Sequence, residues 1–276
     1  MRGAGSNFGA ITSFEFQLHP VGPIVMLCAA LYALEDAPTV LRKWRDWLAT
    51  APDEFSPLAV FWSVPPGFPE ELVGRPILII AGVYAGAVEE GEKVIQPLRE
   101  LATPLLDLSA AEPYTTVQSA FDPFFPKGML YYWKSTYLEA LSDPLLDRLC
   151  QLAAQRPSSR TTMDLWPQRG AVTSVGAGET AFGRRPPYMI AFESSWTDPR
   201  DTEVNIAWAR EAYASMRQFS GSGIYLNFPG FGEEQEDLVR AAYGANYERL
   251  TQIKARYDPT NLFRMNQNIP PAGSKP

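Results

Sequence analysis

This sequence predicts an α+β fold, and three observations lead there. From Pro23 to about Gln218, strand-like segments, some alternating and some continuously apolar, exchange with segments whose apolar residues recur every three or four positions. No phosphate loop or switch-point motif accompanies them. Gly3-Ala4-Gly5-Ser6-Asn7-Phe8 sets phenylalanine where a dinucleotide fingerprint requires its third glycine, and no strand precedes it. No internal repeat of fixed period is present. Alternation alone also admits a parallel α/β sheet.

Each element has a local reason. Residues 10–18 turn apolar–polar–apolar in their second half, the pattern of a half-buried strand. Residues 24–34 follow as another strand. Residues 39–51 read as a helix with Pro38 at its start and Val40, Leu41, Trp44, Trp47 and Leu48 on one face. Residues 58–64 and 77–84 are strands, the second almost continuously apolar and therefore buried. Residues 89–101 form a helix with acids early and Lys93 and Arg99 late, a distribution that suits its dipole; Pro97 is a candidate kink. The stretch 104–127, rich in proline and aromatics, allows one short helix at 115–121. Residues 128–138 are a strand, and Asp143 is the expected cap of a helix over 144–155. Strands at 161–168 and 188–196 flank the glycine-rich 170–183, and Asp198-Pro199 starts the last long helix.

Near the C-terminus, residues 224–228 read as a strand, which would put Tyr225 and Asn227 on one face. Two short helices come next. Gly244 suits the end of the first and Asn246 the cap of the second; Leu250, Ile253 and Tyr257 supply a stripe, and Asp258-Pro259 stops the helix.

Composition narrows the function. The 276 residues are 46% hydrophobic and 20% charged, the profile of a globular chain with ample material for a core. A net charge of −7 without any basic block argues against phosphate-backbone binding, so no nucleic-acid partner is expected. The longest apolar runs are too short to span a bilayer, and no apolar leader follows Met1. The expectation is a cytoplasmic chain without membrane association. Cys28 and Cys150 sit in apolar runs and read as small buried hydrophobes, leaving no metal-binding spacing. The lone His19, between Leu18 and Pro20, reads as structural or solvated.

The C-terminal residues carry a resemblance. Tyr243-Gly244-Ala245-Asn246-Tyr247-Glu248-Arg249-Leu250, then Lys254-Ala255-Arg256-Tyr257-Asp258-Pro259-Thr260-Asn261-Leu262-Phe263-Arg264, then Asn266-Gln267-Asn268-Ile269-Pro270-Pro271 resemble the signature of the berberine-bridge-enzyme-like flavin oxidases, within the vanillyl-alcohol-oxidase superfamily, of bacterial type. Gly3 to Pro23 resembles the closing strand of that family's flavin-binding domain. Tyr132-Trp133-Lys134-Ser135 and Thr180 to Arg185 resemble its substrate domain, although relatives often carry His-Arg where Arg184-Arg185 stands.

The resemblance implies a large antiparallel sheet covered by helices, and it decides for α+β over a parallel sheet. It implies three parts: 1–22, the last strand of an FAD-binding domain otherwise outside the chain; 23–220, the substrate domain; and 221–276, a segment closing the flavin site. It implies FAD as cofactor, with the residues that attach flavin covalently in relatives absent here. Tyr225 is then the catalytic proton acceptor. Gly5, Asn7, Phe8, Gly9, Asn227, Asn266 and Asn268 are the cofactor contacts, while Trp166, Gln168 and Lys134 are the substrate contacts. Trp166 read by itself is as well a core residue. An unperturbed tyrosine titrates near pH ~10, so such a base needs an environment that favours phenolate or a transfer concerted with hydride loss. The implied reaction removes a hydride from an alcohol or sugar carbon, with oxygen as final acceptor. Three readings compete: an oxidase completed by further sequence or a separate flavin-domain polypeptide, a non-catalytic binding module for a small molecule, and a gene remnant.

Overall fold

The computed structural model describes residues 2–183, 186–220, 223–230, 236–265 and 267–273. Among them, eight strands form one sheet: β1 (Ile24–Ala33), β2 (Phe55–Ser63), β3 (Pro76–Tyr84), β4 (Leu106–Asp107), β5 (Ala110–Pro113), β6 (Leu130–Leu138), β7 (Thr162–Pro167) and β8 (Tyr188–Trp196). Their order is β4-β1-β3-β2-β7-β8-β6, with β5 also on β1, and every pairing is antiparallel. The fold is α+β.

Side-chain alternation gives the sheet two different faces. On one, Cys28, Ala30 and Tyr32 of β1, Phe61 of β2, Leu78 and Ile80 of β3, Met163 and Leu165 of β7, and Ile190 and Phe192 of β8 form the main core. The helices α1 (Ala37–Leu48), α2 (Val88–Arg99), α4 (Asp143–Ala154) and α6 (Thr202–Ser215) cover it. The shorter α3 (Tyr114–Ser119) and α5 (Ala171–Ser174) lie in the connections. On α1, Val40, Leu41, Trp44 and Leu48 are buried as the pattern predicts, and Trp47 lies half-buried at the rim, edge-on to Phe55. Burying each such side chain contributes roughly 1.5–3 kcal/mol. Glycine is required at Gly82, because an added Cβ would lie 2.3 Å from the Phe55 ring and 2.7 Å from Ser56 O.

The opposite face is left to loops and to the last fifth of the chain. There Leu31, Val60, Trp62, Ile77 and Ile79 make a smaller cluster with Phe124. A third cluster joins α7 (Glu236–Tyr243) and α8 (Tyr247–Tyr257) to Ile224, Leu226, Ile269, Phe8 and Phe182.

Several local expectations are corrected. Residues 9–22 are not a strand: Ile11, Phe14, Phe16 and Leu18 are exposed, and Phe14 stacks only on Phe16. A strand exists through its neighbour's hydrogen bonds, and none of the described strands runs beside this one. Asp143 does not cap α4; it occupies the first turn, and its carboxylate binds Arg42 and Arg45 of α1. Asn246 does not cap α8 but donates to the carbonyls of Ala177 (2.8 Å), Ala181 (3.1 Å) and Thr180 (3.2 Å). The buried stripe of α8 is Tyr247, Leu250, Thr251 and Lys254, with Ile253 half-buried and Tyr257 in solvent. Cys28 and Cys150 are free thiols, and burial pushes each up to about 12, so both are unreactive near neutral pH.

Candidate active site

The segment 224–228 is a tight turn, not a strand. Phe228 N donates to Tyr225 O at 2.9 Å, and the turn is fastened to the edge of β6 by a Lys134–Pro229 bridge and by Ser135 Oγ, 3.4 Å from Tyr225 O. Proline at 229 lacks the N–H that would extend a ladder. Gly230 takes φ +85°, and a Cβ there would lie 2.9 Å from the Tyr132 hydroxyl. Turn geometry still brings Tyr225 and Asn227 together: Asn227 Nδ2 donates to the Tyr225 phenol oxygen at 2.7 Å.

Tyr225 is half-buried and lines two cavities. One, of about 400 Å³, is mostly apolar: Tyr137, Trp166, Met189, Phe182 and Phe228 line it with Gln168. The other, of about 340 Å³, is bounded by Gly3, Gly5, Asn7, Asn227 and Gln267. Phe182 belongs to both walls, as Tyr225 does.

The second cavity is held open by a knot between the chain's two ends. The Asn7 side chain donates to Ala4 O (2.9 Å) and Gln267 O (3.1 Å) and accepts from Ile269 N (2.7 Å). Lys254 Nζ, fully buried, donates to Asn7 O, Asp258 Oδ2 and Phe263 O at 2.5–2.6 Å. Gln267 Nε2 reaches Leu226 O at 2.8 Å and ties this knot to the Tyr225 turn. Gly3, at φ +79°, approaches Phe182 so closely that a Cβ would sit 2.9 Å from the Phe182 Cβ.

The expected site residues therefore separate. Gly5 and Asn227 line the second cavity, and Trp166 and Gln168 the first. Asn7 borders the second cavity, but its amide is spent inside the protein, so it positions the glycine turn. Phe8 packs in the third cluster with the Lys254 cation 5.9 Å from its ring, and Phe8 and Gly9 line neither cavity. Asn268 borders neither cavity, yet its Oδ1 is buried without a hydrogen bond among the described residues. Asn266, like Arg184 and Arg185, lies outside the described residues. Lys134 is corrected: the pleat turns Trp133 and Ser135 toward the site and Lys134 to the helix side. There it is 5% exposed, 4.5 Å from the Tyr213 ring and 3.4 Å from Pro229 O. Tyr137, Phe182, Met189 and Phe228 escaped sequence reading, because single aromatics and methionines on strands look like core.

The residues present fit one edge of a flavin ring. Two glycines leave backbone exposed at the cavity, and Asn227 and Gln267 border it with side-chain amides. Polar groups of both kinds facing a cavity bordered by aromatic rings suit a planar heterocycle with a polar rim.

Comparison with known proteins agrees. Residues 224–270 match the family model "Berberine and berberine like". The uncharacterized FAD-linked oxidoreductase YgaK of Bacillus subtilis is 27% identical over 275 residues, spanning 98% of this chain and 57% of its own length. Xylooligosaccharide oxidase of Thermothelomyces thermophilus is 26% identical, spanning 99% of this chain and 58% of its own length. Among solved structures, BBE-like 28 of Arabidopsis thaliana superposes with a TM-score of 0.81 at 19% identity, covering 98% of this chain and 61% of its own. 6-Hydroxy-D-nicotine oxidase of Arthrobacter nicotinovorans gives 0.79 at 21%, covering 97% and 59%. The chain thus spans little more than half the length of the curated relatives it matches. It carries a berberine and berberine-like segment at residues 224–270 and is similar along nearly its whole length to FAD-linked oxidoreductases.

Proposed function

We propose that this chain forms the substrate side of an FAD-dependent oxidase that takes a hydride from a carbon bearing an alcohol or sugar-type hydroxyl, with oxygen as the final acceptor. The supporting observation is that one phenol, Tyr225, forms the wall shared by an apolar cavity and a polar, glycine-bordered one. FAD, when bound, supplies the hydride acceptor and returns the electrons to oxygen. In this reading the substrate lies in the cavity of Trp166 and Gln168, and the polar rim at Gly5 and Asn227 holds the cofactor; a cofactor role for Asn266 and Asn268 belongs to the same proposal. The three-part division of the chain at 22 and 220 belongs to the same proposal. So does a contribution to the FAD site from outside the chain, whether from further sequence or a separate polypeptide.

The chemistry assigned to Tyr225 is proton transfer. Asn227 donates to its oxygen and fixes its position; in the proposed step that oxygen, as phenolate, takes the hydroxyl proton of the substrate while the hydride leaves carbon, so the substrate O–H breaks and the phenol O–H forms. Aromatic walls keep water from the reacting carbon.

Tyr225→Phe tests this directly. In FAD-loaded protein, anaerobic flavin bleaching by substrate should slow by about 10²–10⁴ while substrate affinity changes little, as for loss of a general base. Bleaching within about threefold of the parent would remove Tyr225 from the chemistry. A binding module that performs no redox reaction remains a second reading, favoured by one observation: this chain alone supplies the aromatic and Gln168 lining of the 400 Å³ cavity. It predicts ligand binding unaffected by FAD.

A further inference from the structure

Beyond Trp166 and Phe228, on the same face of the sheet, lies a further chamber of about 320 Å³. Its aromatic wall comprises Trp62, Phe121, Phe125, Trp133, Trp166 and Phe228, with Leu58 and Val60 completing the apolar lining. Phe228 stands edge-on to Trp133 at 5.1 Å, as Phe125 does at 6.3 Å.

Two acids enter this apolar space. Register puts Thr162 opposite Glu193 and Glu193 opposite Trp133, while Asp164 lies opposite Val60 and Ala191. Asp164 and Glu193 are thus diagonal neighbours on adjacent strands, with backbones roughly 7 Å apart and carboxyls on one face. Glu193 is 6% exposed and lines the chamber, and its carboxyl has no hydrogen bond or ion pair among the described residues. Asp164 Oδ1 is shielded from solvent and likewise unbonded. Arg156 is the cation nearest Asp164 in influence, but its guanidinium is spent on Trp62 O (2.6 Å), Thr161 O (2.8 Å), Ala153 O (2.9 Å) and Ser63 Oγ (3.3 Å). Burial raises both carboxyls far above their usual range. The Asp164 charge adds to the rise at Glu193, and Thr162 and Arg156 partly offset it at Asp164. Near neutral pH the pair retains a proton.

Uncompensated acids on an apolar wall are costly, and natural proteins keep such groups for a ligand or for chemistry. A polyol would leave most of its hydroxyls unpaired against these rings. A hard metal ion would find two carboxylates where it takes six or more oxygens. An organic ammonium with an apolar body satisfies every surface: carboxylate for its charge, ring faces for cation–π attraction, and hydrocarbon for its skeleton.

We propose that the Asp164–Glu193 chamber seats a protonated amine, and that the substrate is an aryl or alkyl amino alcohol whose ammonium lies between these carboxyls while its body passes Trp166 and Phe228 and brings the hydroxyl-bearing carbon toward Tyr225. That the amine is the substrate rests on the oxidase reading; that the chamber binds a cation does not. Entry of the ammonium displaces the retained carboxyl proton: the carboxyl O–H breaks, the proton leaves to solvent, and the carboxylate pairs with the incoming N–H.

The probe is phenethylammonium, with 2-phenylethanol as its neutral counterpart. The full chain is titrated by tryptophan fluorescence and by calorimetry at about pH 7.5 in two buffers of different ionisation enthalpy. The amine is expected to bind at least tenfold more tightly than the alcohol and to release about one proton per site. Asp164→Asn/Glu193→Gln should abolish both the preference and the proton release while cooperative unfolding persists. Equal binding of the alcohol, amine binding without proton release, or amine binding unaffected in a folded double variant would each overturn the proposal. None of these readouts uses flavin, so failure here leaves the Tyr225 test standing, and failure of that test leaves this one.

Discussion

Replacing Lys254 by methionine removes one buried charge while keeping the stem's volume, and its cost follows from the contacts. All three ammonium hydrogens are used, on Asp258 Oδ2, Asn7 O and Phe263 O. Lys254→Met leaves two carbonyls without their donor, each worth about 1–3 kcal/mol if no water replaces it. The Asp258 carboxylate retains two partners, the amides of Leu262 (2.8 Å) and Phe263 (2.9 Å). Removing one member of a buried pair costs about 3–5 kcal/mol, and those amides place the expected loss near the lower bound. Burial opposes ionisation of Asp258, but Lys254 and the two amides outweigh it and hold the carboxyl below its usual value. The stabilisation from this pair is therefore full above about pH 4 and lost as pH falls through the folded-state value. Urea unfolding followed by circular dichroism measures the loss, and hydrogen exchange across α8 locates it. Lys254→Met/Asp258→Asn should lose less than the two single changes added together. A loss below about 1 kcal/mol, or strict additivity in the cycle, would refute the account of this knot.

Glu193→Gln carries the opposite pH dependence. Its carboxyl is raised in the folded state, so the parent is most stable below the unfolded value near ~4.3 and loses stability as pH rises through the folded value. The variant should match the parent near pH ~4 and exceed it by about 1–3 kcal/mol at alkaline pH, read as a shift in urea midpoint. Gly82→Ala should destabilise by about 1–3 kcal/mol, because the new methyl meets both the Phe55 ring and a backbone oxygen; a neutral thermal scan would contradict that packing. Asn7→Ala breaks two bonds between the chain's ends and one within the N-terminal turn, and should accelerate proteolysis after residue 260 without altering exchange in β1 to β3.

The sheet was legible because its information is local. Short apolar or alternating runs at β1, β2, β3, β6, β7 and β8 mark the strands, and the 3.6-residue stripes of α1 and α4 specify what covers them. The C-terminal signature was legible in the same sense: a dense string of residue types in fixed order. Tertiary contacts decided the rest. Asn7 and Ile269 bond across 262 positions, and no window of sequence shows that an asparagine after a glycine turn will meet that amide. Residues 9–22 alternate like a strand but lack a partner among the described strands, while 224–228 alternate and turn instead, because an edge bridge and Gly230 bend them. Lys134 follows its pleat away from the site that its neighbours Trp133 and Ser135 face. Glu193 and Asp164 look in sequence like the polar half of two alternating strands. Only the sheet's register, by laying aromatic side chains over that polar half, turns them into buried acids facing a cavity. Periodicity sets the face on which a side chain emerges; what it meets there depends on segments distant in the chain, and that is settled only by packing.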